Sequence, residues 1–282
     1  MQLSNTQYSF DIEVESHAPE LYDYASIAEG VDGFESVDDQ QITRYHQQGY
    51  LAINHAFNSR EVKDAIDALS DLVVGKYPDF GNIQFSERVR ERLYLMTLDE
   101  KLDAIRKLHS FTEVEPRLKA MAEHPSLLQL VARLIDASPE LYQSMALLKP
   151  PQGREKPWHQ DHSHFDLPLK TRVVGVWIAL DPATTETGCM RVLPGWHRRG
   201  PMLHRQLRDF QIRDEVIMGL KDECSAVPLE PGGCLLFDSY LPHGTPANQT
   251  NNRRRAVQFH FLPVNTPRIS DEERLAVFCQ EG

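Results

Sequence analysis

Hydrophobic and polar positions along this chain change rhythm part-way through. In residues 60–77 the apolar positions Val62, Ile66, Leu69 and Val73 recur at helical spacing, behind a capping residue at Asn58 or Ser59. Ahead of them, DDQQITRYHQQG predicts a short helix that starts at an acidic cap and stops at Gly49, and YLAINHAF alternates as a strand does. Residues 87–137 read as helical in pieces. One piece is 98–109, with Leu102, Ile105 and Leu108 on one face; 116–123 and 126–136 follow, separated by His124-Pro125. Their apolar stripes are read as core packing.

After Pro139 the pattern shortens to β-branched and aromatic runs set off by turn residues: LYQSMALLK, TRVVGVWIALD, GCMRVLPG, SAVPLE, GCLLFDSYL and RRAVQFHFLPV. Runs at this spacing, punctuated by Gly and Pro, predict an all-β sandwich or barrel. The charged stretch MLHRQLRDFQIRDEVIMGL interrupts them and reads as a helix-like insert. Residues 1–38 are acidic and without a sustained apolar period. They read as an extended arm, free to pack on the body or, in a homodimer, on a second copy. The expected architecture is a helical part (residues 39–138) wrapped on a β-core (139–265), one domain running to residue 270. Residues 271–282 are left as a C-terminal tail.

Composition changes this picture little. The 282 residues are 41% hydrophobic and 25% charged, enough for a core of full size. A formal net charge of −11 disfavours nucleic acid as a partner, because phosphate binding depends on a basic surface. The one basic cluster, Arg253-Arg254-Arg255, is too short to line a groove. No window reaches the ~18 uninterrupted apolar residues of a spanning helix, and the N-terminus lacks the basic and apolar regions of a secretory signal. The expected setting is the cytoplasm, away from the membrane, with Cys189, Cys224, Cys234 and Cys279 as free thiols.

The chemistry concentrates in PWHQDHSH, residues 157–164. His159 and Asp161 are separated by one residue, so in a strand both side chains point to the same face and can reach one ion. An imidazole and a carboxylate make two thirds of the facial triad of non-haem Fe(II) oxygenases. A solvated His-rich loop is the competing reading; structural zinc fits poorly, since no Cys accompanies the site. Four histidines compete for the third position. His197 sits in the turn PGWHRRG, His204 near the insert, and His260 within the alternating run AVQFHFL. His243, at the end of the strand CLLFD and beside Gly244 and Thr245, has the best geometry. Arg254 adds weight: an arginine beside a ferrous site can hold the distal carboxylate of 2-oxoglutarate in a bidentate pair. Alternation turns Arg253 and Arg255 away from it.

These residues match a known pattern. WHQD, RVVGVWIALD, GCMRVLPGWH and PHGTPANQTNNRRRAVQFHF, in that order, resemble the phytanoyl-CoA dioxygenase family of Fe(II)/2-oxoglutarate oxygenases. The resemblance spans roughly residues 40–265 and is strongest from Gln143 onward. It implies a mainly β fold with helices: a double-stranded β-helix (jelly roll, cupin-like) with N-terminal helices packed on it. Carried over by position, it implies His159, Asp161 and His243 as iron ligands and Arg254 on the C5 carboxylate of 2-oxoglutarate. Trp177 and Met145 would line that pocket, and Lys107 matches a helical lysine that reaches it. Thr245 and Gln143 are further candidates. His162 and His164 are left between substrate and solvent, and His197 matches a structural turn. The implied reaction uses Fe(II), 2-oxoglutarate and O2 to hydroxylate a small organic or acyl substrate, releasing succinate and CO2. Asp161 stands where related halogenases lack a carboxylate, which favours hydroxylation. A non-catalytic 2-oxoglutarate and metal binder on the same fold is the alternative.

Overall fold

The computed structural model describes residues 8–12, 14–15 and 17–279; the start of the arm and the last three residues of the tail lie outside the described residues. Local signals build the helical layer. Asp38 caps Asp39–Gln48 by accepting from the backbone N–H of Gln40 and Gln41. Gly49 ends that helix in the left-handed conformation, φ 84°, which only glycine adopts without cost. Asn58 opens Ser59–Val73 with a reciprocal capping box to Glu61, and Val62, Leu69 and Val73 are buried, while Ile66 is half-buried. Pro116–Ala122 and Pro125–Ile135 each carry proline in the first turn.

The helix expected over 98–109 forms only in its first half. Leu98–Leu102 is helical, and Ile105–His109 is a strand between Ile83–Ser86 and Pro139–Lys149, antiparallel to both. Ladder hydrogen bonds from strands distant in sequence override an apolar spacing that local propensity cannot resolve.

Two sheets form the β-core. The larger runs in the order Ser9–Asp11, Ile83–Ser86, Ile105–His109, Pro139–Lys149, Arg254–Pro263, Val174–Ala179, Cys234–Asp238, Tyr50–Asn54, Val31–Asp32. The smaller runs Ser26–Ile27, Ser225–Val227, Met190–Val192, His243–Thr245, Lys156–His159. They face each other as a jelly roll, and the helices cover the outer face of the larger sheet. The central strand Val174–Ala179 is therefore buried on both sides. Val174, Val176 and Ile178 join the core under the helices, whereas Trp177 and Ala179 join the core between the sheets. Double burial is why VVGVWIAL reads as one apolar run.

The described part of the arm packs on the body. Ser9–Asp11 and Ser26–Ile27 each add a parallel edge strand, one to each sheet. Tyr22 is buried between them in sequence, its hydroxyl donating to Glu155 and its ring stacked 5.9 Å from Trp158. The insert is mostly not helical. His204–Gln206 and Phe210–Ile212 make a hairpin, followed by the five-residue helix Asp214–Met218. Arg208, near the hairpin turn, is held by Glu155 and by both oxygens of Asp214, so ion pairing rather than amphipathic period shapes this segment. In the tail, Asp271–Phe278 is a helix whose Phe278 is buried against His204 and Tyr240. All four cysteines are free. Among the described residues, no helix is long and apolar enough to cross a membrane.

Candidate active site

Two neighbouring strands of the smaller sheet bring His159 and His243 together. Lys156–His159 and His243–Thr245 run antiparallel with these two residues directly opposite, so both rings leave the same face, with centroids 4.3 Å apart. The strand stops at His159. Asp161 opens a 3-10 turn, Asp161–His164, instead of continuing the strand as the i, i+2 argument requires. Gln160 makes the break. Its N–H donates to His204 Nε2 at 3.1 Å, its Nε2 donates to the carbonyls of Gly200 and Tyr240, and its Oε1 accepts from Met202 N. The carboxylate still arrives: Asp161 Oδ1 lies 3.2 Å from His159 Nε2 and 3.7 Å from His243 Nε2.

The donor atoms of these three buried residues all lie within 4.8 Å of one another. Their protons are directed outward. Nδ1 of His159 faces the carbonyl of Pro157 at 2.7 Å and Nδ1 of His243 that of Leu241 at 2.9 Å. A carbonyl only accepts, so each Nδ1 carries a hydrogen, and Nε2 is the nitrogen left to offer a lone pair to a metal on the side of Asp161. The second carboxylate oxygen, Oδ2, accepts from His260 Nε2 at 2.8 Å and Gln258 Nε2 at 3.2 Å. Burial alone would raise the Asp161 carboxyl, but the surrounding histidines, His243 and His260 foremost, hold it well below the usual carboxylate range. Burial, reinforced by His159, pushes His243 down to about 3, so its ring is neutral at pH 7. Two imidazole nitrogens and one carboxylate oxygen form the set that suits a non-haem Fe(II) ion.

A cavity of about 490 Å³ joins this triad to Arg254. Cross-strand register in the larger sheet puts Met145, Gln258 and Trp177 in one row and sets Lys149 opposite Arg254. Arg254 is 2% exposed, with its guanidinium 5.2 Å from the centroid of Trp177. Its Nε and Nη1 have no hydrogen-bond partner, nor does the indole N–H of Trp177. Buried guanidinium N–H groups left unpaired are costly, and a carboxylate is their natural complement. Arg255 pairs with Asp181, and Arg253 with Asp99 and Asp103, and neither neighbour turns its side chain to Arg254.

Lys107 lies in the same cavity, on the strand Ile105–His109 and opposite Leu147, not on a helix. Burial first, and then Lys156, lowers its ammonium pKa. The other histidines separate cleanly. His164 lines the cavity with its ring 5.6 Å from His159. His162 is fully buried, stacked 4.3 Å from Tyr240 and bonded to Ser239 Oγ. His197 contacts the carbonyl of His46, and His204 supports Gln160. Sequence reasoning missed the grip of Gln258 and His260 on Asp161, and it missed Lys149. Period two along QSMALLK carries the signal for Lys149, since Gln143, Met145, Leu147 and Lys149 share a face, and all four line the cavity.

The family model described as phytanoyl-CoA dioxygenase (PhyH) matches residues 45–256, well over half of the chain. The chain belongs to the phytanoyl-CoA dioxygenase family. As a member of that family it is a dioxygenase that depends on Fe(II), 2-oxoglutarate and O2. Among its relatives, phytanoyl-CoA dioxygenase domain-containing protein 1 of Danio rerio is 24% identical over 263 residues, covering 79% of this chain and 89% of the relative. A methylphosphonate hydroxylase of Gimesia maris is 24% identical over 235 residues, covering 80% and 81%. The fold recurs in the crystal structure of EvdO2 from Micromonospora carbonacea var. aurantiaca complexed with 2-oxoglutarate. That structure has a TM-score of 0.64 and 25% identity, covering 87% of this chain and 98% of that one.

Proposed function

We propose that this enzyme hydroxylates a small organic substrate, with His159, Asp161 and His243 holding the iron. Arg254, Trp177, Met145 and Lys107 form the pocket for 2-oxoglutarate. One juxtaposition carries the reading: a buried triad whose donor atoms converge shares a cavity with a buried arginine that leaves two N–H groups without a partner. Iron and 2-oxoglutarate, when bound, supply the oxidising chemistry, in which O2 is consumed and succinate and CO2 leave with the oxidised substrate.

The chain's own residues do the holding. The carbonyls of Pro157 and Leu241 fix the imidazole planes and tautomers. His260 and Gln258 occupy Oδ2 of Asp161, so the carboxylate offers the metal one oxygen rather than two. Arg254 offers buried, unpartnered N–H groups to the C5 carboxylate, and Trp177 and Met145 wall the carbon chain. Lys107 adds a second cation from the edge side of the sheet. The substrate side of the cavity is bounded by the arm at Phe10, Asp11 and Ile12, by the hairpin at Gln206, Arg208 and Asp209, and by His164. An intact Asp161 supports transfer of oxygen rather than halide.

Anaerobic titration with Fe(II) and then 2-oxoglutarate tests the reading. A weak visible charge-transfer band that saturates at one equivalent of 2-oxoglutarate is expected, followed on oxygenation by equal amounts of succinate and CO2. A protein that takes up Zn(II) tightly and develops no band would overturn it.

A further inference from the structure

Gln160 separates the proposed ligands His159 and Asp161, and every polar atom it has is bonded. Its carbonyl accepts from Ser163 N at 3.1 Å and from Ser163 Oγ at 2.7 Å. Its side-chain amide donates to the carbonyls of Gly200 and Tyr240 and accepts from Met202 N. Its N–H donates to His204 Nε2 at 3.1 Å. That last bond sets Gln160 apart from the strand before it. A backbone N–H in a ladder donates to a strand carbonyl. Here a side chain 44 positions away takes it, and the strand Lys156–His159 stops just short of it.

The two bonds of the His204 ring fix one tautomer. A backbone N–H only donates, so Nε2 accepts; the carbonyl of Met202, 2.8 Å from Nδ1, only accepts, so Nδ1 donates. The ring is fully buried, with the rings of Phe210 and Phe278 centred 5.2 Å and 5.5 Å away. His204 opens the hairpin of His204–Gln206 and Phe210–Ile212, which walls the substrate end at Gln206, Arg208 and Asp209. Asp209 in turn pairs with Lys156, on the strand that carries His159. The hairpin is therefore fastened to the ligand segment on both sides of His159. Without an acceptor at position 204 the Gln160 N–H would be buried and unsatisfied, at the bend that brings Asp161 Oδ1 to 3.2 Å from His159 Nε2.

We infer that His204 is a positioning residue for the iron: from the hairpin that bounds the substrate end, it fixes the bend at Gln160 and thereby the place of the Asp161 carboxylate. This rests on the assignment of His159, Asp161 and His243 to iron. The ring also packs against two phenylalanines, and the two uses predict opposite rankings of variants. For packing, an aromatic ring is the best replacement; for positioning, an acceptor is.

The test sets His204→Phe, which keeps the ring and loses the acceptor, against His204→Gln, which keeps an acceptor and loses the ring. Fe(II) affinity is measured anaerobically by competition with a chelator, and each iron-loaded protein is then titrated with 2-oxoglutarate to record its charge-transfer band. His204→Phe should bind Fe(II) roughly 10–100-fold more weakly than the wild type, the scale of a lost support to a metal ligand, with a shifted band. His204→Gln should regain most of the affinity and the position of the band. Wild-type Fe(II) affinity in His204→Phe, or a His204→Gln that binds iron no better than His204→Phe, overturns the inference. Should either variant fail to fold, His204→Leu replaces the first and His204→Asn the second, and the same ranking is required. A wild type that takes up no Fe(II) would sink the iron reading itself, a result separate from any ranking of the variants.

Discussion

The two ends of the cavity handle charge in opposite ways. At the mouth, the charges are answered within the protein. Asp11 bridges Arg106 and Arg154, Lys156 meets Asp209, and Arg208 lies between Glu155 and Asp214. At the closed end, Arg254 and Lys149 face each other without a carboxylate, and Arg254 and Trp177 keep buried N–H groups unbonded. Buried donors are nearly always satisfied in folded proteins, so the closed end is built for a ligand that completes it. The mouth is assembled from the arm, the hairpin and the edge strands, and its cations already hold carboxylates, although Nη1 of Arg154 is buried without a partner. On the proposed reading, the iron and cosubstrate residues sit mostly on interior strands, while the proposed substrate end is made of surface segments.

Removing the metal ligands would break this contrast most severely. Asp161→Ala or His159→Ala should abolish Fe(II) binding and turnover alike, measured by iron content after dialysis and by succinate release. Arg254→Ala comes next. Truncating one partner of a buried charge pair costs about 2–5 kcal/mol, so 2-oxoglutarate affinity should fall roughly 100-fold with Fe(II) affinity intact. Unchanged affinity would show that the Arg254 guanidinium is not the cosubstrate's anchor. His260→Ala sharpens the picture from the metal side. Freed of its support, Asp161 should bind Fe(II) roughly 10–100-fold more weakly. The smallest effect belongs to the mouth. Asp11→Asn removes the charge between two mostly buried arginines and should lower stability by about 1–3 kcal/mol, read as a fall in Tm. Its 2-oxoglutarate affinity should equal that of the wild type; a loss approaching that of Arg254→Ala would erase the distinction between the two ends.

Much of this was legible one element at a time. Asp38, Gly49 and Asn58 mark helix ends because capping depends only on a few neighbouring backbone groups. Period two assigns Arg254 a face opposite to Arg253 and Arg255, and the ion pairs of those two neighbours follow from it. The spacing of His159 and Asp161, with the family pattern around them, pointed to the metal cluster.

Other features depended on partners distant in sequence. Alternation alone does not separate His243, which opens the strand His243–Thr245, from His260, inside Arg254–Pro263; only the strand-end context favoured His243. Register then decides between them: His243 pairs with His159 in the smaller sheet, and His260 sits in the larger one, where it reaches only the far oxygen of Asp161. Gln160 turns Asp161 out of the strand through bonds to residues 200, 202, 204 and 240, none of them near in sequence. Ile105–His109 became a strand, and the described arm took its place at the sheet edges, for the same reason. The sequence by itself determined which backbone conformations and faces each segment prefers, because those preferences are local. The tertiary structure decided which faces meet, because hydrogen-bond register and burial are set by the partner strand as much as by the strand itself.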